Sequence, residues 1–244
     1  MRRLLELGYG CYAALALGVA MLVTLPFVLL MPTLALRRAC GRLGVRGALA
    51  LALVPVRVRG LEHLPAGPCL VVSNHASYLD GPLLTAALPG RFTFVVQHAA
   101  AGWPLFGRVI RGMGVTFINR SEARAGASQT RGLIRRLEHG QSLAVFPEGT
   151  FEDAPGLLPF RKGAFLMAVH ASVPVVPAAI RGTRRLLGGG RTRLIWNRVE
   201  VEFFAPLTPS GDHRHAIETL RDEARRIVLA HCGEPDAGGA PVDD

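Results

Sequence analysis

Residues 74–80 (NHASYLD) place a histidine, His75, five positions before an aspartate, Asp80. An imidazole with a pKa of ~6.5 can take a proton from an alcohol at neutral pH, and a carboxylate on its other nitrogen fixes the tautomer. The segment follows an apolar run typical of a buried strand, residues 69–73 (CLVVS), and precedes residues 81–84 (GPLL), which can start a helix. The pattern therefore predicts a general base and its orienting carboxylate at the end of a strand.

A second histidine and aspartate share this spacing, His231 and Asp236. They lie beside a tail that is rich in Gly, Pro and Asp. A segment of this composition buries too little apolar surface to form a core. We therefore interpret the second pair as accidental, because only the first pair follows a strand pattern.

A second polar cluster follows another apolar run. Residues 142–146 (SLAVF) are typical of a strand and lead through Pro147 into Glu148, Gly149 and Thr150. Side chains at strand ends project into the crevice beyond a sheet, so we expect the site to lie there. Gly149 allows close backbone approach, and Thr150 can cap the next turn.

With this context, residues 75–80 resemble the first signature block of the glycerolipid acyltransferases, the lysophosphatidate acyltransferase family. Three further stretches resemble the family's later blocks in the same order: residues 114–120 (GVTFINR), 146–150 (FPEGT) and 173–180 (VPVVPAAI). The resemblance covers residues 56–205. It implies transfer of a fatty acyl group from an acyl thioester to the sn-2 hydroxyl of 1-acylglycerol-3-phosphate, giving phosphatidic acid in phospholipid biosynthesis.

The resemblance also implies the substrates and the residues that bind them. The acyl donor is acyl-CoA or acyl-carrier protein, which is a substrate, and we expect no cofactor and no metal. Arg120 ends the second block and is expected to bind the phosphate of lysophosphatidate, since a guanidinium fork matches phosphate bidentately. A carboxylate beside a phosphate would repel it. We therefore expect Glu148 to position Arg120 or the acceptor hydroxyl, with Gly149 and Thr150 beside it.

One departure from the family concerns the acceptor. The family usually has a lysine-bearing stretch after the strand at residues 92–96 (FTFVV), whereas Gln97 follows it here. A different lyso-lipid acceptor therefore stays open as an alternative. Two further alternatives are a lipid hydrolase, in which His75 activates water, and a non-catalytic basic protein that binds membranes. The sequence lacks a Gly-x-Ser-x-Gly elbow, so a serine hydrolase would lack its nucleophile.

The composition indicates a protein that meets lipid. The chain has 244 residues, enough for one α/β domain with an appendage, and 50% of them are hydrophobic. Its mean hydropathy is +0.30 and its net charge is +10. Aromatic residues are sparse and no nucleic-acid motif is present, so the charge predicts anionic membrane lipids, and no nucleic acid, as partners.

Four widely spaced cysteines predict reduced thiols instead of a metal site or disulfides.

The N-terminal region has a long uncharged stretch, residues 7–36. As one helix it would span about 45 Å, against about 30 Å for the hydrocarbon core of a bilayer. Pro26 and Pro32 argue against one uninterrupted helix, which leaves a spanning helix that ends near Pro26 or two helices in one leaflet. A signal peptide is the rival interpretation, but its apolar region is usually only ~7–15 residues long. A basic cluster follows that suits the cytoplasmic face of the inner membrane, namely Arg37, Arg38, Arg42 and Arg46.

These patterns divide the chain into three parts: a membrane anchor with a basic interfacial segment (1–55), an acyltransferase domain (56–232) and a disordered tail (233–244). Strand-like and helix-like segments alternate through the second part, which indicates an α/β sandwich around a mostly parallel sheet. Residues 199–204 (VEVEFF) are expected to form a late edge strand. Residues 212–231 are expected to form a C-terminal helix with one apolar face.

Overall fold

The computed structural model describes residues 2–97, 102, 105–118, 123–188, 190 and 193–238. The helices of this described part are α1 (Arg2–Leu30), α2 (Leu34–Leu51), α3 (Asp80–Ala87), α4 (Phe106–Gly112), α5 (Ala123–Glu138), α6 (Lys162–His170), α7 (Thr183–Leu187) and α8 (His213–Cys232). The strands are β1 (Val56–Arg59), β2 (Leu70–Ser73), β3 (Phe92–Gln97), β4 (Thr116–Ile118), β5 (Ser142–Val145), β6 (Val175–Arg181) and β7 (Val199–Phe203).

The seven strands form one mostly parallel sheet in the order β1-β7-β6-β2-β5-β3-β4, which confirms the predicted sheet. Strands β6, β2, β5, β3 and β4 run in one direction. β7 pairs antiparallel with β6 and parallel with β1, so β7 and β1 run the opposite way. Residues Ser73 and Val145 therefore end neighbouring parallel strands at the same edge of the sheet.

The expectation that residues 199–204 form an edge strand is wrong, because β7 lies between β1 and β6. The alternating glutamates resemble a half-exposed edge, but their charges are paired inside the sheet. Glu200 binds Arg59 at 3.1 Å, and Glu202 binds Arg181 at 2.7 Å. β1 is the edge strand on this side.

Apolar side chains fill both faces of the sheet, which confirms the α/β sandwich. In β2, Val71 packs toward α2 and α3, while Leu70 and Val72 pack toward α5, α6 and α8. The predicted C-terminal helix is α8, and its apolar face is buried on the second side. The buried residues of this helix are Ala216, Leu220, Ala224, Val228 and Cys232.

The N-terminal region forms an antiparallel helical hairpin that packs on the domain. Tyr9 near the start of α1 donates its hydroxyl to the carbonyl of Ala52 after α2, at 2.9 Å. Near the other end of α1, Val28 packs against Gly112 of α4. The helix runs through Pro26 and ends at Leu30, and α2 begins at Leu34. The uncharged stretch is therefore not one uninterrupted helix, as predicted, but its break lies at Pro32 instead of Pro26. A helix-interior proline costs about 3 kcal/mol or more, which the packing of α1 on α2 and the domain offsets.

By length and composition, α1 could cross a membrane.

Two arginines of the basic cluster after the hairpin tip bind the domain, and the expectation of an interfacial cluster stays a prediction. Arg46 donates to the carbonyl of Ala86 at the end of α3, at 2.9 Å. Arg38 donates to the carbonyl of Met113 at 3.1 Å and to the hydroxyl of Thr93. These side chains satisfy carbonyls at the ends of α3 and α4 and fasten the hairpin to the sheet domain.

The described part of the C-terminal tail, residues 233–238, is ordered, so the expectation of disorder is wrong there; residues 239–244 lie outside the described part. The N–H of Leu157 donates to the carbonyl of Pro235 at 2.8 Å, and the carbonyl of Leu157 accepts the N–H of Ala237 at 3.2 Å. Side chains reinforce this bridge, because Asp236 pairs with Arg225. Specific contacts supply the order that the composition alone does not predict.

Candidate active site

The first and third sequence blocks meet because their strands are neighbours. Val72 and Val145 are partners in the parallel ladder of β2 and β5. His75 and Glu148 follow these strands by a few residues, so both lie beyond the carboxyl edge of the sheet, as the sequence predicts.

The structure brings His75 and Asp80 into direct contact. Nδ1 of His75 lies 2.9 Å from Oδ2 of Asp80, which also accepts the backbone N–H groups of Ala76 at 2.6 Å and Ser77 at 2.7 Å. An oxygen that accepts three hydrogen bonds assigns the imidazole proton to Nδ1 and leaves the lone pair on Nε2. The Asp80 side chain is fully buried, while that of His75 is 20% exposed. This is the arrangement of an oriented base with one accessible nitrogen.

Aromatic rings enclose the imidazole on two sides. Phe146 stacks on His75 with ring centroids 4.1 Å apart, and Phe151 approaches edge-on at 4.6 Å. Tyr78 in turn packs edge-on against Phe151. The rings fix the plane of the imidazole and exclude water from its faces.

The carboxylate of Glu148 accepts hydrogen bonds from two main-chain N–H groups of the site. Its Oε1 accepts the N–H of His75 at 2.5 Å, and its Oε2 accepts the N–H of Leu158 at 2.8 Å. Burial raises the pKa of Glu148 to about 8, although these two N–H groups oppose the rise; the Asp80 carboxylate adds to it and the Arg184 guanidinium reduces it. The expectation that Glu148 positions Arg120 or the acceptor hydroxyl therefore needs correction, because both carboxylate oxygens bind main-chain N–H groups.

The structure describes two of the other three predicted binding residues, Gly149 and Thr150. Gly149 has a φ of +84°, a left-handed conformation that favours glycine, and its N–H binds the carbonyl of Phe146 at 3.1 Å. Thr150 caps no helix of the described part; its hydroxyl lies 3.4 Å from the carbonyl of Phe151. Arg120 lies outside the described residues. The described residues contain no cluster of three or more side chains that could hold a metal.

Two features of the site escaped the sequence analysis. Asn74 is buried, and its side chain donates to and accepts from the backbone of Ile180, at 3.0 and 2.7 Å, which ties the end of β2 to β6. Arg184 and Glu234 form an ion pair of 2.8 Å beside the loop that carries Phe151. A buried asparagine directly before His75 is a signal that the sequence offers, whereas the ion pair joins residues fifty positions apart and leaves no local pattern.

Comparisons with known proteins show the family of the chain. A family model described as Acyltransferase matches residues 55–181. The chain is 32% identical to the chloroplastic 1-acyl-sn-glycerol-3-phosphate acyltransferase BAT2 of Brassica napus, over 88% of this chain and 62% of that protein, so it covers less than two thirds of that relative's length. It is 34% identical to the 1-acyl-sn-glycerol-3-phosphate acyltransferase of Neisseria meningitidis, over 79% of this chain and 81% of that protein.

A third relative has a different named acceptor. The lyso-ornithine lipid O-acyltransferase of Pseudomonas aeruginosa is 29% identical, over 75% of this chain and 76% of that protein. Among solved structures, the fold is similar to that of the 1-acyl-sn-glycerophosphate (LPA) acyltransferase PlsC from Thermotoga maritima. The TM-score is 0.74 at 24% identity, and the match covers 93% of this chain and 98% of that chain. With a family model that matches more than half of its residues, the chain belongs to the acyltransferase family.

Proposed function

We propose that this protein transfers a fatty acyl group from an acyl thioester to the sn-2 hydroxyl of 1-acylglycerol-3-phosphate, which gives phosphatidic acid. The observation that carries the proposal is the contact between His75 and the buried Asp80 at the carboxyl edge of the sheet. The names of the Brassica and Neisseria relatives support this acceptor. The donor is acyl-CoA or acyl-carrier protein.

The reaction needs only a base and two oriented substrates. Nε2 of His75 takes the proton of the acceptor hydroxyl as the hydroxyl oxygen attacks the thioester carbonyl. The carbon–sulfur bond then breaks, and the leaving thiolate takes the proton back from the imidazolium. Asp80 holds the imidazole through Nδ1 and stabilises its charged form. No acyl-enzyme is needed, because the acceptor itself is the nucleophile.

Arg120 is the residue that we propose for the phosphate of the acceptor, through a bidentate guanidinium contact. A second candidate acceptor is the lyso-ornithine lipid named for the Pseudomonas relative. Gln97 is the feature that favours this second candidate, because the family usually has a lysine-bearing stretch at this place.

The helical hairpin is proposed to lie in one leaflet on the cytoplasmic face of the inner membrane. α1 contacts the domain near both of its ends, through Gly10 against Leu194 and Val28 against Gly112, which favours a helix that lies along the domain over one that leaves it to span the bilayer. Large apolar side chains are exposed along the helix from Leu4 to Leu30. The most exposed of them are Leu4, Leu5, Leu15, Leu22, Val23, Phe27 and Leu30.

Thiol release by the purified protein tests the proposal. The protein is incubated with an acyl thioester alone and with lysophosphatidate, lyso-ornithine lipid or a zwitterionic lyso-lipid. Release that depends on lysophosphatidate supports the proposal, and preference for another lyso-lipid changes the acceptor while the reaction class stands. Release without any acceptor indicates a hydrolase. No release with any pair of substrates indicates a non-catalytic membrane-binding protein.

A further inference from the structure

Three apolar side chains project where the end of the hairpin meets the catalytic domain. Leu51 is 53% exposed, Leu53 is 62% exposed and Trp196 is 52% exposed. Leu51 ends α2, Leu53 follows it, and Trp196 lies in the segment before β7. We refer to these three residues as the Trp196 patch.

The backbone of the patch holds these side chains outward. Leu53 has a φ of +54°, a left-handed conformation that is unfavourable for a leucine, and its N–H binds the carbonyl of Ala50 at 3.0 Å. The indole Nε1 of Trp196 donates to the carbonyl of Leu53 at 2.8 Å. Because the only polar atom of the indole ring is satisfied inside the protein, the ring can enter an apolar layer without an unpaired donor.

The patch continues the apolar outer face of α1. Tyr12 on that face donates its hydroxyl to the carbonyl of Leu51 at 2.5 Å. Gly10, two residues earlier, packs closely against the backbone of Leu194, two residues before Trp196. The two apolar surfaces therefore adjoin, although one belongs to the hairpin and the other includes the catalytic domain.

Hydrogen bonds connect the patch to the segment that carries the base. Ile195, next to Trp196, donates its N–H to the carbonyl of Leu186 at 2.9 Å. The neighbouring carbonyl, that of Leu187, accepts the hydroxyl of Ser77 at 2.5 Å. The patch thus has a fixed position relative to the residues that follow His75.

Charge and residue type indicate what covers the patch. Arg193 and Arg198 flank Trp196 and are exposed. A tryptophan between two arginines, with exposed leucines beside it, is typical of the boundary between the headgroups and the acyl chains of an anionic bilayer. A lipid surface fits both the apolar side chains and the positive rim.

We propose that the Trp196 patch is a second membrane contact, which inserts into the headgroup–acyl boundary and holds the active-site edge of the sheet against the lipid surface. This inference rests on the proposed membrane association of the hairpin. It adds an attachment point in the catalytic domain itself, so the hairpin alone does not set the orientation of the site.

Tryptophan fluorescence tests the contact directly. The chain contains two tryptophans, so Trp103→Phe leaves Trp196 as the only indole. Vesicles of phosphatidylcholine and phosphatidylglycerol carry bromine atoms either near the headgroup or near the end of the acyl chain. We expect a blue shift of the Trp196 emission and stronger quenching by the shallow bromines. Protein that sediments with the vesicles but shows no quenching overturns the patch and leaves the hairpin proposal standing, whereas protein that does not sediment overturns both.

A substitution supplies the second measurement. Asparagine tolerates the left-handed backbone at position 53, so Leu53→Asn removes the apolar side chain without added strain. We expect its affinity for the vesicles to fall by about tenfold, the value of one buried leucine side chain. Leu61→Asn is the matched control, since Leu61 is also exposed but follows β1 at the opposite edge of the sheet. Equal affinities of the two variants would overturn the inference.

Discussion

In the proposed mechanism, one nitrogen of His75 takes the proton that moves during acyl transfer. We expect His75→Ala to lower kcat by roughly 10²–10⁴-fold, the usual contribution of a general base. The variant should still fold, because Asp80 keeps the hydrogen bonds from the N–H groups of Ala76 and Ser77 when the ring is removed. His231→Ala is the matched control: its Nδ1 contacts the carbonyl of Ile227 in its own helix and Asp236 binds Arg225, so activity should be retained. Near-wild-type activity of His75→Ala would exclude the proposed mechanism.

Glu148 offers a test of positioning. In Glu148→Gln the amide NH₂ faces a backbone N–H, so one of the two contacts, to His75 or to Leu158, is lost. We expect a loss of about 1–3 kcal/mol in the free energy of unfolding, as for an unsatisfied buried group. kcat should fall by about 10- to 100-fold through the misplaced base, with the KM of the acyl donor unchanged. A donor KM that rises in step with the loss of kcat would contradict the positioning role.

The raised pKa of Glu148 gives the same test a pH dependence. Its value of about 8 in the folded protein lies above the ordinary 4.5, so the folded protein binds this proton more tightly than the unfolded chain. Stability from this group is fully present below pH 4.5 and is lost as the pH rises toward about 8. The free energy of unfolding of the wild type minus that of Glu148→Gln should therefore decrease across this range. Chemical denaturation at several pH values measures it, and a constant difference contradicts the prediction.

Residue types and spacing were enough to predict that His75 and Asp80 form a pair and that Glu148 stands near them. They did not predict that Glu148 binds main-chain N–H groups. Every residue except proline carries such a donor, so a main-chain partner leaves no mark in the sequence. The location of Glu148 was therefore predictable from the sequence, whereas its hydrogen-bond partners were not.

Among the elements, the loop from Gly149 to Leu158 links the C-terminal segment to the base. Phe151 packs against His75, and Gly156 donates its N–H to Glu234, which also binds Arg184. We expect Glu234→Gln to cost about 1–3 kcal/mol of stability, because both side chains of the pair are largely buried, and to lower kcat several-fold.

Glu223→Gln is the control for Glu234→Gln. It breaks a well-formed ion pair with Arg226 on the exposed face of α8, where solvent screens the charges. Thermal unfolding and kcat of this variant should match the wild type. Equal behaviour of the two glutamine variants would show that the C-terminal segment does not support the site.

The helical hairpin depends on a close approach at Gly44. A Cβ there would overlap the side chain of Thr24, whose hydroxyl is bound to the carbonyl of Ala20. We expect Gly44→Ala to destabilise the protein by about 1–3 kcal/mol through overpacking. Gly47 lies in the same helix with no atom near an added Cβ, and Gly47→Ala should stabilise by about 0.5–1 kcal/mol. Melting temperatures in detergent measure both, and a shift of the same sign would contradict the packing.

Elements were predictable where local pattern decides them, as in the apolar runs that became β2 and β5. Three elements differ from prediction because distant contacts decide them. α1 continues through Pro26 while it packs on α2 and the domain, β7 lies inside the sheet because it pairs with both β1 and β6, and hydrogen bonds with Leu157 order residues 233–238. The partners lie far away in sequence in the last two cases, so no local window contains the information.

For the whole molecule, the net charge of +10 and the exposed apolar surface make separable contributions to membrane binding. Binding to anionic vesicles should weaken as salt rises, since exposed charges are screened beyond about 8 Å at physiological ionic strength. A salt-independent remainder should persist and equal the binding to neutral vesicles. Sedimentation with both kinds of vesicle over a range of salt measures the two parts. Complete release at high salt would contradict apolar insertion.

The reversal of β7 and β1 relative to the other strands means that the chain leaving α2 enters the sheet at the edge where His75 stands. A site placed there on a lipid surface receives its acceptor by diffusion in two dimensions. The quantity that sets its rate is then the number of lyso-lipid molecules per unit area, and the dissolved concentration has little influence. We expect dilution of the acceptor with inert lipid to slow the reaction at a constant total amount of acceptor. If the proposed function holds, we expect the product, which carries two acyl chains, to leave sideways into the same leaflet and compete there with the next acceptor.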